Sequence, residues 1–152
     1  MDLIAQLMAE HQAYVSKLTT LAEVIEGIRV NGRSDYFIAT LDELLHPLTT
    51  ELDDHARREE EFLFPRLLDR APDSHHVPDM RAEHETIRGQ SAAFGHWYRV
   101  WREGDNAAYR KWADPASDLR GMFSAHMQKE NLMVFPWARR VLTENEINQL
   151  TT

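Results

Sequence analysis

The chain has 152 residues, 43% of them apolar, a formal net charge of −8 and no cysteine. That length suits one domain with a real core, and no long polar tract argues for disorder. The acidic balance, with basic residues scattered among acids, excludes nucleic acid as an expected partner, and the missing thiols exclude disulfides and confine any metal to nitrogen and oxygen ligands.

From Leu3 the stripe Leu7, His11, Tyr14, Leu18, Leu21, Ile25 and Ile28 recurs in steps of three and four, as in an amphipathic helix. His11 stands in it where a leucine is the usual occupant. Asn31 and Gly32 end this helix, and Ser34 or Asp35 caps the next. The second stripe is Ile38, Leu41, Leu45, Leu48, Leu52, His55, Glu59 and Phe62. Pro47 is expected to bend this helix without stopping it, and Pro65 to kink its last turns, which run to about Arg70.

After a connection from Pro72 to about Pro78, the third stripe carries Met80, His84, Ile87, Ser91, Phe94, Tyr98 and Trp101. Asp114 followed by Pro115 is a helix-start signal, with a short helical turn expected ahead of it over 106–112. The fourth stripe is Leu119, Phe123, His126, Glu130, Met133 and Trp137, ending near Arg140. Thr143 with Glu146 has the form of a capping box for a brief final helix. No alternating β-branched run appears. The expectation is an all-α, up-down-up-down four-helix bundle with a short C-terminal helical segment, one domain over 1–152 with its core at about 3–140. No run of eighteen apolar residues marks a membrane span, and MDLIAQLMAEH does not read as an export signal, so a cytoplasmic location is expected.

The segment DDHARREEEFLFP, 53–65, puts His55 and Glu59 four residues apart on one helix face. SAHMQKENLMVFP repeats the arrangement with His126 and Glu130. In both copies a Phe-Pro pair ends six residues after the glutamate, at Pro65 and Pro136. Ala9-Glu10-His11 is echoed by Ala82-Glu83-His84, and the interval to the following His-x-x-x-Glu is 44 residues in one half and 42 in the other. Two helical hairpins related by an approximate two-fold axis follow from this echo.

Taken singly, each of these histidines reads as an ordinary partly buried side chain. Together, four histidines and two glutamates on inward stripes need compensating charge, because buried carboxylates are costly unless paired. A metal centre is the simplest compensation. Six ligands overfill one tetrahedral zinc, whereas Glu59 and Glu130 can each bridge two ions. With a bridging oxo or hydroxo, each ion would have five ligands and one open position. Imidazole and carboxylate around an open position suit non-haem iron, with manganese and zinc less favoured.

This conjunction of motifs, from His11 to Pro136, resembles the hemerythrin-like, or HHE cation-binding, family. The resemblance implies a carboxylate-bridged di-iron centre inside the bundle, with His11 and His55 on one iron, His84 and His126 on the other, and Glu59 and Glu130 bridging. Oxygen-carrying hemerythrins have a second histidine four residues after the third-helix histidine, where this chain has Arg88. They also have a longer-spaced aspartate on the last helix, where it has Glu130. Arg88 cannot ligate iron in the ordinary way, which leaves room on the His84 side for an exogenous molecule beside a guanidinium. Its other expected role is a salt bridge to Glu85, Glu59 or a neighbouring acid.

Tyr14 is expected in the core or donating to the site. Glu60 and Glu61 are expected to face solvent, and His46, His75, His76 and His96 to lie in solvent or beyond the ligands. The function implied is a di-iron protein that binds or reacts with a small oxidant: peroxide, dioxygen or nitric oxide. As an enzyme it would be an oxidoreductase acting on peroxide or nitric oxide. The alternatives are iron storage, iron or oxygen sensing, and an interaction bundle with a degenerate site. Ferritin-like bundles use Glu-x-x-His pairs, the reverse order at shorter spacing.

Overall fold

In the computed structural model, which describes residues 1–150, the first helix, Leu3–Asn31, opens on Asp2. The Asp2 carboxylate accepts from the Ala5 amide at 2.8 Å and is held by Arg139. The helix stops at Gly32, whose φ of +82° suits a residue without a Cβ and whose amide bonds the Ile28 carbonyl. Ser34 caps the second rod, accepting from the Phe37 amide at 3.2 Å. This rod is helical throughout 35–70 but alternates in pitch: α over Asp35–His46, π over Pro47–Glu51, α over Leu52–Arg58, π over Glu59–Leu63 and α over Phe64–Arg70. The third helix is His76–Arg102. The fourth rod begins with a 3₁₀ turn at Asn106–Ala108 and runs as α over Tyr109–Lys129, π over Glu130–Val134 and α over Phe135–Val141. A last helix, Glu144–Asn148, follows. The four rods form the expected up-down-up-down bundle; residues 151 and 152 of the expected domain lie outside the described residues.

The π turns explain where the expected stripes slip. Proline has no amide and crowds the carbonyl four residues back. Just before Pro65 and Pro136 the helix widens, so that Phe64 bonds the carbonyl of Glu59, and Phe135 that of Glu130, each five residues back. Each widened turn absorbs one residue. Phe62 and Met133, expected inside, are 36% and 53% exposed, and Leu63, Phe64, Val134 and Phe135 take the core positions. At the third π turn, Pro47 leaves the rod helical as expected, and the buried Ser91 hydroxyl donates to the Leu48 carbonyl inside it at 2.8 Å.

The fourth rod starts earlier than Asp114-Pro115 suggested, and Pro115 lies inside it. The cause is Trp112, fully buried among Phe94, Tyr98, Trp101 and Tyr109 with ring centroids 5.4–6.0 Å away. Aromatic burial of this size outweighs a local start signal. At the C-terminal end Thr143 accepts from the Glu146 amide at 3.1 Å, as the capping pattern requires. The Glu146 carboxylate pairs with Arg70 instead of turning back.

The apolar interior is two cores. One gathers Tyr14, Leu18, Leu48, Phe94, Trp112 and Phe123; the other gathers Leu3, Leu7, Leu63, Phe64, Phe135 and Ile147. Between them in every rod falls a buried polar position: His11, His55 with Glu59, His84, and His126 with Glu130. Among the described residues no helix is long and apolar enough to cross a membrane.

Candidate metal centre

All six of these side chains are at most 2% exposed. The His11 and His55 Nε2 atoms lie 3.1 Å apart, and those of His84 and His126 lie 3.2 Å apart, so each hairpin contributes one imidazole pair. The carboxylates join the pairs. Glu130 Oε1 is 3.2 Å from His11 Nε2 and 3.1 Å from His126 Nε2. Glu59 Oε1 is 3.3 Å from His55 Nε2 and 3.5 Å from His84 Nε2. None of the four oxygens of Glu59 and Glu130 meets a donor in good hydrogen-bond geometry. Fully buried carboxylate oxygens without donors are costly, and cations between them and the imidazoles would satisfy them. Ligand atoms of Glu59, His84, His126 and Glu130 fall within 4.8 Å of one another, as do those of His11, His55 and Glu130. The cluster can hold two metal ions, with Glu130 common to both.

Outside this layer each imidazole is held by its other nitrogen. His55 Nδ1 meets Glu10 at 3.0 Å, His126 Nδ1 meets Glu83 at 3.0 Å, and His84 Nδ1 meets Glu60 at 2.9 Å. His11 Nδ1 meets the Asn131 side-chain oxygen at 2.8 Å. Ionised carboxylates only accept, so Nδ1 carries the hydrogen and Nε2 is the atom presented to the centre. Arg58 fastens Glu10, and Lys129 fastens Glu83 at 2.6 Å. Burial would push the Glu10 carboxyl up, but His55 and Arg58 hold it at about 2.

In the polypeptide alone, burial pulls His55 down, and its bond to Glu10 together with the nearby Glu59 carboxylate outweighs this, raising it to about 10. His126 is raised to about 9, burial again being overcome, here by Glu130, Glu59 and Glu83. Burial opposes ionisation of Glu130, yet the His126 charge and the surrounding contacts hold it well below the usual carboxylate range.

A family model described as Hemerythrin HHE cation binding domain matches residues 2–138. The chain belongs to that family. A search of curated proteins finds no match to it.

Within this hemerythrin fold, Arg88 does not face the centre. Its guanidinium bonds Glu60 at 2.6 and 3.1 Å, Asp53 at 2.7 Å and Glu85 at 3.3 Å, and it reaches His84 only through Glu60. The expected salt bridge is present at Glu85, with Glu60 and Asp53 in place of Glu59. Glu60 is therefore not in solvent, a correction that follows from its place after Glu59 in the widened turn. In both rods the residue following the glutamate reaches a histidine of the opposite hairpin, Glu60 to His84 and Asn131 to His11. Tyr14 is a core residue, its ring packed edge-on to His55 at 5.7 Å between centroids. His46 and His75 are exposed, and His76 and His96 lie against Trp137 and Trp97.

The residues that sequence reasoning left out are Glu10, Glu83, Arg58, Lys129 and Asn131. For the first two the signal was already visible: the echoed Ala-Glu-His places a glutamate directly before each first-helix histidine of a hairpin.

Proposed function

We propose that this hemerythrin-family protein is a non-haem di-iron protein that binds or reacts with a small oxidant: peroxide, dioxygen or nitric oxide. His11 and His55 hold one ion, His84 and His126 the other, and Glu59 and Glu130 bridge. The observation that carries the reading is that each buried, donorless carboxylate spans both imidazole pairs. A set of nitrogen and oxygen ligands without thiolate favours iron over softer ions, with manganese and zinc as the less favoured occupants. When bound, an iron pair supplies redox capacity and Lewis acidity.

The chain's own residues set the rest. Carboxylates on Nδ1 of His55, His84 and His126, and the Asn131 amide oxygen on that of His11, fix each imidazole's tautomer and direction. The apolar cores on either side keep bulk water from the layer. With the six side chains at most 2% exposed, only a small molecule reaches the centre without opening the bundle. Measuring iron content and the near-ultraviolet spectrum before and after peroxide or nitric oxide tests this: a response to either is expected, and iron-loaded protein that responds to neither contradicts it.

A second reading, an iron sensor or store, is favoured by the place of the ionisable layer between two cores, where metal occupancy couples to folding. It predicts the same metal content and a large metal-dependent shift in melting, without consumption of oxidant.

A further inference from the structure

The approximate two-fold axis pairs His11 with His84, His55 with His126, Glu10 with Glu83, and Arg58 with Lys129. Among the groups that back the four imidazoles, the two halves differ in charge at one corner. His84 is backed by the Glu60 carboxylate, itself clamped by Arg88; His11 is backed by the neutral amide of Asn131. Four residues after His84 stands Arg88, whereas four residues after His11 stands Val15, half exposed and without charge. The ligand layer itself is balanced, since Glu59 and Glu130 each approach one imidazole of either pair at 3.1–3.5 Å, so the difference lies in what backs the imidazoles.

A carboxylate on the outer nitrogen makes an imidazole a more basic ligand, and such partners typically change metal affinity about 10- to 100-fold. We infer that the two metal positions are inequivalent: the His84–His126 position fills first and holds its ion more tightly, and the His11–His55 position, backed by Asn131, fills last and exchanges. Glu60 and Asn131 are the positioning residues that set the difference, with Arg88 holding the Glu60 side chain in place. This rests on the two-metal reading above.

The test is an anaerobic titration of metal-stripped protein with cobalt(II), followed by visible absorption, with helical content checked by circular dichroism. Wild type is expected to take two ions in two steps separated by about 10- to 100-fold. Asn131→Asp, which supplies the missing carboxylate, is expected to tighten the weaker step alone and bring the two together. Glu60→Gln is expected to weaken the stronger step alone. Because Asn131→Asp adds a partner and removes no ligand, it remains informative if Glu60→Gln fails to fold. Two equivalent steps in wild type, or an Asn131→Asp protein whose weaker step does not move, overturn the inference and leave the two-metal reading standing. A folded protein that takes up no cobalt overturns both.

Discussion

Glu10, on the first helix, accepts a hydrogen bond from His55, on the second, at 3.0 Å, so this ligand is held by a residue of its own hairpin. Glu83 and His126 repeat the contact at the same distance. Glu10→Gln keeps the shape and removes the charge. It is expected to lower affinity for the ion at the adjacent position by about tenfold, the lower end of what such partners contribute. Equilibrium dialysis against a competing chelator measures it, and Glu83→Gln should give an effect of similar size on the other position.

Trp112 anchors the core remote from the chain termini. Trp112→Ala is expected to cost about 3–5 kcal/mol in urea unfolding, the range for emptying a large buried aromatic site. Metal stoichiometry in the surviving folded fraction should be unchanged, because Trp112 sits in the core beyond the ligand layer.

Asp42 gives a pH dependence away from the centre. It bonds Arg102 at 2.8–3.1 Å and accepts from the Tyr98 hydroxyl at 2.7 Å. Arg102 above all holds its carboxyl below the ordinary value, burial opposes this, and Tyr98 adds to it. A depressed carboxyl stabilises the fold above its unfolded pKa of about 3.9 and loses that contribution as pH falls through the lower folded value. The side chain is 38% exposed, so the effect is below about 1 kcal/mol. The melting-temperature gap between wild type and Asp42→Asn should be open at neutral pH and close on acidification below about pH 4. A gap that widens in acid would contradict the assignment.

Much of this architecture was legible in the chain because its apolar steps keep a helical period and its ligands sit directly in those stripes. His11, His55, Glu59, His84, His126 and Glu130 stand in the expected places for that reason. What escaped was the change of pitch. Pro65 read as a kink and Pro136 only as part of the repeated Phe-Pro pair, whereas the turn before each is widened, and a single absorbed residue exchanges Phe62 for Leu63 and Met133 for Val134. The same widened turns carry Glu60 and Asn131 across to the opposite hairpin, an outcome no straight-helix wheel shows. The start of the fourth rod was hidden because Trp112 is held by rings from distant positions, and local capping chemistry does not register tertiary packing.

Metal stripping should lower the melting temperature by several degrees or more, since two buried carboxylates then depend on histidine protons alone. Restoring iron(II) under anaerobic conditions should restore it, and calcium, which prefers all-oxygen sites, should not. Equal melting with and without iron would count against coupling between the ligand layer and the bundle.

Elemental analysis of the protein produced in iron-supplemented medium, set beside the same measurement on a His55→Ala, His126→Ala variant, addresses the central claim most directly. Two iron ions per wild-type chain and a clear loss in a variant that keeps its helical content are predicted. One ion or none in wild type, or two retained in the variant, would contradict it.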